Sequence, residues 1–232
     1  MVEVPPDGAA TVTRTRTRGP AGVTVGCTAL CLVVVAFLGA AVRGEFAPLL
    51  RLDATVSEAL YAGDDRAAGL DGLLEVLTAP GLSWVRFLAF LPVLVWLVAR
   101  RLWWTARWMV TAVVLVAPLT ILLKEYFGRI RPPFADGGAR YESLSFPSGH
   151  SSGIATLVAV ALVLAWPLLT TAGRRWSLAA GVALVLLVGL TRMWLGVHYL
   201  SDVVGGWSLG LAWTLGTALL FGAFPGGRAA LR

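Results

Sequence analysis

Six long runs of uncharged, mostly apolar residues constrain the fold of this chain more than any other feature. They are Gly19 to Val42, Val76 to Ala99 (interrupted only by Arg86), Trp108 to Leu123, Ser151 to Gly173, Trp176 to Thr191 and Val203 to Gly227. A helix needs about 20 apolar residues to cross the hydrocarbon core of a bilayer. Since only 14% of residues are charged, too few for the surface of a soluble globule, we predict six membrane spans.

We interpret these spans as helices, and the fold as an all-α bundle of six transmembrane helices with short extracytoplasmic interfacial helices. The runs lack the alternation typical of barrel strands, and Pro92 and Pro118 inside them are compatible with membrane helices. Two runs have only sixteen residues, which predicts that their helices extend into neighbouring polar residues. The spans form one domain, residues 21–225, followed by a short cytoplasmic tail at 226–232.

The segment before the first run, residues 1–20, is rich in Pro, Gly, Thr and Arg. This composition is typical of a disordered tail. Its arginines, Arg14, Arg16 and Arg18, also resemble the basic start of a secretory signal. However, the apolar core of such a signal has about 7 to 15 residues, and the run that follows is longer, so we predict a retained membrane anchor.

Arginine is concentrated in alternate loops, and this distribution predicts the orientation. The clusters lie in the N-terminal tail, at Arg100, Arg101 and Arg107, at Arg174 and Arg175, and at Arg228 and Arg232. Loops rich in arginine remain in the cytoplasm, so we predict a multi-pass protein of the cell membrane with both termini cytoplasmic. The net charge of +6 is explained by these loops, and we expect no nucleic-acid partner.

The first outward loop contains an amphipathic pattern. Four leucines between Leu70 and Leu77 recur at helical spacing, and Asp71 and Glu75 supply a polar face. We predict a helix that lies on the outer leaflet. It either covers the bundle or forms a lid or lateral entrance for a lipid, and the sequence leaves both open.

Three short polar clusters hold both histidines and the single lysine of the chain. They are Lys124 to Pro132, Pro147 to His150, and Thr191 to Asp202. Counting spans from a cytoplasmic N-terminus brings all three clusters to the extracytoplasmic face. Cations at this face oppose the usual charge distribution, and ionisable groups at membrane depth mark substrate or ion pathways. A bound phosphate would supply the missing negative charge.

The third cluster contains a histidine four residues before a carboxylate. On a helix, His198 and Asp202 would share a face and form a hydrogen bond. The carboxylate would fix the imidazole tautomer and leave the other ring nitrogen free to attack phosphorus. We therefore predict that His198 is the nucleophile, forming a phosphohistidine, and that Asp202 stabilises its developing positive charge.

The second cluster, Pro147 to His150, directly precedes the fourth run. Amides at the start of a helix favour an anion, so we predict that Ser148 and Gly149 donate to phosphate oxygens. An ordinary helix cap formed by Ser148 is the alternative. His150 is suited to protonate the leaving oxygen as general acid.

Three cations complete the predicted site. Lys124, Arg131 and Arg192 are predicted to bind phosphate, because a guanidinium pairs with two oxygens and an ammonium supplies a compact charge. They would stabilise the equatorial oxygens of a phosphoryl-transfer transition state. Carboxylate, His or Cys clusters with metal-ligand spacing are absent from the sequence, so we expect no metal and no cofactor.

Together the clusters resemble the motifs of the type 2 phosphatidic acid phosphatase superfamily: Lys, six residues, Arg-Pro; then Pro-Ser-Gly-His; then Ser-Arg, five residues, His, three residues, Asp. Every position matches except Thr191, which replaces the serine and keeps its hydroxyl. The resemblance implies a metal-independent membrane lipid phosphatase. It assigns phosphate binding to Lys124, Arg131, Ser148, Gly149 and Arg192, and catalysis to His150, His198 and Asp202. Arg129 also fits a common variant of the first motif.

The expected partners are the bilayer and a membrane lipid phosphate. Polyprenyl diphosphate, phosphatidic acid and phosphatidylglycerophosphate all suit an outward-facing site, and an undecaprenyl-diphosphate-like substrate is favoured among them. A lipid phosphotransferase with the same intermediate is an alternative. A six-span transporter is another, but it is disfavoured because the span interiors contain almost no ionisable residues.

Overall fold

The computed structural model describes residues 20–224 and 227–231, and these residues form helices and connecting turns without any strand. The helices are α1 (Pro20–Arg43), α2 (Ala47–Leu60), α3 (Ala68–Thr78), α4 (Ser83–Ala99), α5 (Trp103–Phe127), α6 (Gly149–Ala165), α7 (Thr171–Trp194) and α8 (Leu200–Phe221). The all-α prediction is confirmed. The predicted disordered tail lies outside the described residues, apart from Pro20, which begins α1.

Within the described ranges, five helices are long and apolar enough to cross a membrane: α1, α5, α6 together with the 3₁₀ turn that follows it to Leu168, α7 and α8. The remaining predicted span, the run from Val76 to Ala99, corresponds to α3 and α4. These two helices together meet the same criterion but are bent by 48° at a short break. The second run was predicted to begin at Val76, whereas α4 begins at Ser83. The boundary differs because Pro80 and Gly81 form a 3₁₀ turn, Ala79–Gly81, that interrupts the helix.

The two sixteen-residue runs lie within longer helices, as predicted. Helix α5 continues through Lys124 to Phe127, and the next residue, Gly128, adopts the left-handed conformation at φ 66° that glycine tolerates. Helix α7 continues through Arg192. Two of the predicted phosphate-binding cations therefore lie in the last turns of long helices, where the backbone is held in place.

Helix α8 packs closely against α6 because small residues face each other across the pair. A Cβ atom at Gly206 would lie 2.5 Å from the Ser148 carbonyl oxygen, and one at Gly210 would lie 2.4 Å from the Ser152 carbonyl oxygen. Such close backbone approach stabilises helix pairs in membranes. It also fixes the start of α6, which carries the second polar cluster, beside the start of α8, which carries Asp202.

The predicted amphipathic helix is confirmed as α3. Its Leu74 is buried against Leu195 and Val197 in the turn after α7, whereas Leu73 and Val76 are exposed. A further helix between α1 and α3, α2, was not identified in the sequence. Both α2 and α3 lie at the end of the bundle that holds the third polar cluster.

The described part of the C-terminal segment packs against the opposite end of the bundle. The backbone N–H of Ala229 donates to Gly222, and its carbonyl accepts a hydrogen bond from the Thr105 hydroxyl at 2.9 Å. Ala229 is buried. This segment is therefore anchored to the start of α5.

Candidate active site

The three polar clusters meet at the end of the bundle where α5 and α7 end and α6 and α8 begin. Lys124 and Arg192 are contributed by the helix ends, Arg131 and His198 by the turns that follow, and His150 and Asp202 by the first turns of α6 and α8. The structure thus brings together residues that are up to 78 positions apart. They enclose one polar site.

His198 and Asp202 are in contact, but their geometry differs from the prediction. His198 lies in the turn before α8, where Gly196 has a φ of 66°, and it therefore does not share a helix face with Asp202. Asp202 instead reaches back from the third position of α8. Its Oδ2 lies 3.4 Å from His198 Nδ1 and accepts the Tyr199 backbone N–H at 2.9 Å. The carboxylate caps α8 and contacts the imidazole at the same time.

A serine that the sequence analysis missed completes this contact. The Ser145 hydroxyl donates to Asp202 Oδ2 and lies 3.3 Å from His198 Nδ1. Asp202 is fully buried and His198 is 1% exposed. With Nδ1–H directed at the carboxylate, the lone pair of the neutral ring lies on Nε2.

The Nε2 atom of His198 faces a predicted phosphate-binding cation. Arg131 Nη1 lies 3.2 Å from it and also donates to the Val197 carbonyl at 2.7 Å, while Arg131 Nε donates to the Ser143 carbonyl at 2.7 Å. Burial lowers the pKa of His198 well below its ordinary value; Asp202 opposes this effect and Arg131 reinforces it. The imidazole is therefore uncharged at neutral pH.

Ser148 differs from its predicted role. Its side chain caps α6 by accepting the Ser151 N–H at 3.4 Å, and its own backbone N–H donates to the Asp202 carbonyl at 2.9 Å. The Ser148 amide is therefore already paired, whereas its hydroxyl, which accepts a hydrogen bond as in an ordinary helix cap, keeps its own hydrogen for a phosphate oxygen. Amides in the first turn of a helix have no intrahelical acceptor, which leaves those of Gly149 and His150 for an anion.

Arg192 provides the clearest indication of an anion-binding site. It is 5% exposed, and its Nη1 lies 3.4 Å from the Thr78 hydroxyl, whereas its buried Nε has no hydrogen-bond partner among the described residues. An unpaired buried donor is destabilising, more so when it is charged. A phosphate oxygen would satisfy it. Lys124, by contrast, donates to the carbonyls of Leu144 and Ser145.

A cavity of about 210 Å³ lies beside these groups. It is lined by Lys124, Gly149 and His150 and by residues at the start of α4, including Arg86, whereas His198, Arg131 and Arg192 are not among its lining residues. A larger cavity of about 450 Å³ at the other end of the bundle is lined mainly by apolar residues such as Trp108 and contains none of the three clusters. The polar residues that line the smaller cavity, and not the relative volumes of the two cavities, therefore locate the site.

A buried ion-pair network behind Asp202 was also missed. Arg129 donates to Asp53 Oδ2 at 2.7 Å and to Asp202 Oδ1 at 2.8 Å. Asp53, which belongs to α2, also accepts the backbone N–H of Ser201 at 2.9 Å and its hydroxyl at 2.5 Å. Asp53 is fully buried, and its contact with Arg129 could not be inferred locally because 76 positions separate them.

The end of α2 also shapes the turn that carries His198. Tyr61 stacks on Phe134 with ring centroids 4.0 Å apart. A Cβ atom at Gly196 would lie 2.6 Å from the Tyr61 ring, so only glycine fits at this left-handed position. Thus Asp53 on α2 binds the arginine that pairs with Asp202. Tyr61, directly after α2, packs against the turn that precedes His198.

Within the described ranges, no three His, Cys, Asp or Glu side chains are grouped as metal ligands. The carboxylates nearest the site, Asp53 and Asp202, are both bound to Arg129. The residues that line the cavity include the cations Lys124 and Arg86 and no carboxylate, so the cavity carries net positive charge.

Known proteins resemble this chain in sequence and in fold. A family model described as the PAP2 superfamily matches residues 105–224. The phosphatidylglycerophosphatase B of Bacillus subtilis is 45% identical over 96 residues, covering 40% of this chain and 46% of that protein. The lipid A 1-phosphatase of Rhizobium etli is 35% identical over 130 residues, or 51% of each protein. The chain thus spans about half the length of these curated relatives.

A crystal structure described as the first transmembrane PAP2-type phosphatidylglycerolphosphate phosphatase from Bacillus subtilis has a similar fold. It is 28% identical in sequence, with a TM-score of 0.64, and the match covers 84% of this chain and 93% of that one. The family match begins in α5, so Asp53 and Arg86 both lie outside it.

Proposed function

The chain belongs to the PAP2 superfamily, and from this premise we propose that it is a metal-independent membrane lipid phosphatase. It would remove phosphate from a monoester or diphosphate of a membrane lipid. The observation that carries this proposal is the setting of His198. Its Nδ1 is held by Asp202, while its Nε2 faces Arg131 at 3.2 Å.

The first chemical step is attack of His198 Nε2 on phosphorus. A bond forms between nitrogen and phosphorus, and the bond from phosphorus to the lipid oxygen breaks, with the electron pair leaving on oxygen. Asp202 stabilises the positive charge that develops on the ring. Lys124, Arg131 and Arg192 stabilise the equatorial oxygens, with the free Nε of Arg192 as one donor.

His150 acts on the leaving group. It lines the cavity with Lys124 and Gly149, and we assign it the proton that the lipid oxygen takes as it departs. In the second step a water molecule attacks the phosphohistidine. His150 accepts a proton from this water, inorganic phosphate is released and His198 is restored. Ser148 ties α6 to α8 through its backbone N–H, and its hydroxyl would donate to a phosphate oxygen.

The site is assigned to the extracytoplasmic face on the basis of the arginine-rich loops. This orientation gives access to lipid phosphates of the outer leaflet, namely polyprenyl diphosphate, phosphatidic acid and phosphatidylglycerophosphate. Ile121, which lines the cavity, is exposed on the side of α5. A lipid tail would contact an apolar surface there while the phosphate binds within.

The activity is tested by phosphate release from the purified full-length protein in detergent micelles, with each of the three lipids as substrate and excess EDTA present. We expect release from at least one lipid, with no dependence on added magnesium and no turnover by His198→Ala. Activity that EDTA abolishes and magnesium restores would contradict the metal-independent mechanism. Release by His198→Ala at the wild-type rate would contradict the assigned nucleophile.

A further inference from the structure

Arg86 is a buried cation that the mechanism above does not use. It lies in the first turn of α4 and is 1% exposed. Its Nε donates to the Val113 carbonyl at 3.1 Å, and its Nη2 lies 3.3 Å from the Ser83 hydroxyl. It forms no ion pair with any carboxylate in the described ranges.

Arg86 lies next to the catalytic histidine of α6. A Cβ atom at Gly153 would lie 2.6 Å from Arg86 Nη1, and one at Gly81 would lie 2.9 Å from the Cβ of His150. Gly153 follows His150 by three residues, or roughly 4.5 Å along the helix axis. Arg86 is thus about one helical turn further into the bundle than His150, and both line the 210 Å³ cavity.

A buried guanidinium without a carboxylate is costly within a membrane protein. Such groups mark a substrate or ion pathway, or pair with backbone carbonyls. The contacts with Val113 and Ser83 use two of the three guanidinium nitrogens. The third, Nη1, lies on the α6 side, where His150 is expected to meet the leaving group.

We propose that Arg86 binds the leaving phosphate of a lipid diphosphate, so that the site is built for diphosphate esters. This inference rests on the proposed function, because it assumes that His198 attacks and that His150 faces the leaving oxygen. The terminal phosphate would be held by Lys124, Arg131 and Arg192. The phosphate attached to the lipid would lie against His150 and Arg86.

The two classes of substrate place different demands on the leaving-group side. Hydrolysis of a lipid monophosphate releases an alcohol, whose oxygen needs a proton. Hydrolysis of a diphosphate breaks the bond between the terminal phosphorus and the bridging oxygen, and the lipid monophosphate leaves with the electron pair. Its second pKa is about 6, so it departs as an anion. A cation stabilises this departure more than a proton donor does.

The test compares farnesyl diphosphate with farnesyl monophosphate, because the tail is the same and only the leaving group differs. The variants are Arg86→Gln, Arg86→Lys and Ser83→Ala, each in the purified full-length protein. For Arg86→Gln we expect the kcat/KM ratio of diphosphate to monophosphate to fall by about 10- to 100-fold, as expected for a lost charge-assisted hydrogen bond. Arg86→Lys should lose less, and Ser83→Ala should keep the wild-type ratio because the cation remains.

An equal fall for both substrates would overturn the inference and make Arg86 a link between α4, α5 and α6 only. It would also be overturned if Arg86→Gln changed kcat/KM for neither substrate, or if the wild-type protein cleaved the monophosphate alone. If Arg86→Gln does not fold, the wild-type protein supplies the test: a farnesyl bisphosphonate should inhibit at least about 10-fold more tightly than the matching monophosphonate. Equal inhibition would contradict the inference. A wild-type protein that cleaves neither farnesyl ester but releases phosphate from phosphatidic acid or phosphatidylglycerophosphate would overturn this inference alone. Release from none of these lipids would contradict the proposed function itself.

Discussion

Asp53 on α2 is joined to Asp202 on α8 through the single guanidinium of Arg129, which lies 2.7 Å from one carboxylate and 2.8 Å from the other. Asp202 in turn lies 3.4 Å from His198 Nδ1. Asp53 neutralises part of the positive charge of Arg129. Arg129 therefore weakens the attraction between Asp202 and the imidazole less than it would if it were paired with Asp202 alone. Asp53 is therefore a positioning residue that acts through Arg129.

Replacement of Asp53 tests this role. In Asp53→Asn the full charge of Arg129 would act on Asp202, and α2 would lose its ionic contact with α8. We expect kcat to fall by up to about 100-fold, the cost of misplacing a catalytic group by about 1 Å, with little change in KM. Asp53→Glu should recover part of the rate. The exposed Glu58 of the same helix supplies the matched control, Glu58→Gln, which should behave as wild type. If the activity of Asp53→Asn fell only in proportion to the amount of folded protein, a positioning role would be contradicted.

The two histidines should respond differently to the leaving group. His150→Ala should lower kcat/KM for a lipid monophosphate by about 10²- to 10⁴-fold, because the departing alkoxide then lacks its proton donor. With an aryl phosphate, whose leaving oxygen scarcely needs a proton, the same variant should lose far less. His198→Ala should abolish hydrolysis of both. Equal losses for the two substrates in His150→Ala would contradict its role as general acid.

The state of His198 can be followed by NMR, since the chain has two histidines and His150→Ala leaves His198 alone after tag removal. Burial holds its pKa well below the ordinary 6.5, so its ¹⁵N shifts should remain those of a neutral ring when the pH falls from 7.5 to 6. A titration midpoint at or above 6.5 would contradict the structure. The unfolded chain takes up this proton at a higher pH than the folded protein does. The free energy of unfolding therefore decreases as the pH falls below 6.5.

The orientation predicts which loops an impermeant thiol reagent reaches in intact cells. In a background with Cys27 and Cys31 replaced by alanine, a cysteine at the exposed Ala139 should be labelled from outside. A cysteine at Ala172, also exposed but in the first turn of α7, should be labelled only after the membrane is permeabilised. The reverse pattern would place the catalytic groups on the cytoplasmic side.

Local patterns in the sequence predicted the spans and the three polar clusters that the structure brings to one end of the bundle, because hydropathy and motif spacing are properties of short segments. Docking between distant segments was not predictable in this way. Asp53 appears in the sequence as one acidic residue of an undistinguished loop, and only the packing of α2 brings it to Arg129. The position of His198 outside α8 likewise depends on Gly196 and on Tyr61, which occupies the space beside it.

The most direct test of the mechanism is to trap the phosphoryl group. Labelled substrate is mixed with the protein, the reaction is quenched in base within milliseconds, and the modified residue is identified by mass spectrometry. We predict an acid-labile, base-stable phosphoryl adduct on His198, absent from His198→Ala and still formed by His150→Ala with an aryl phosphate. An adduct on His150 in the wild-type protein would contradict the assignment of His198 as the nucleophile.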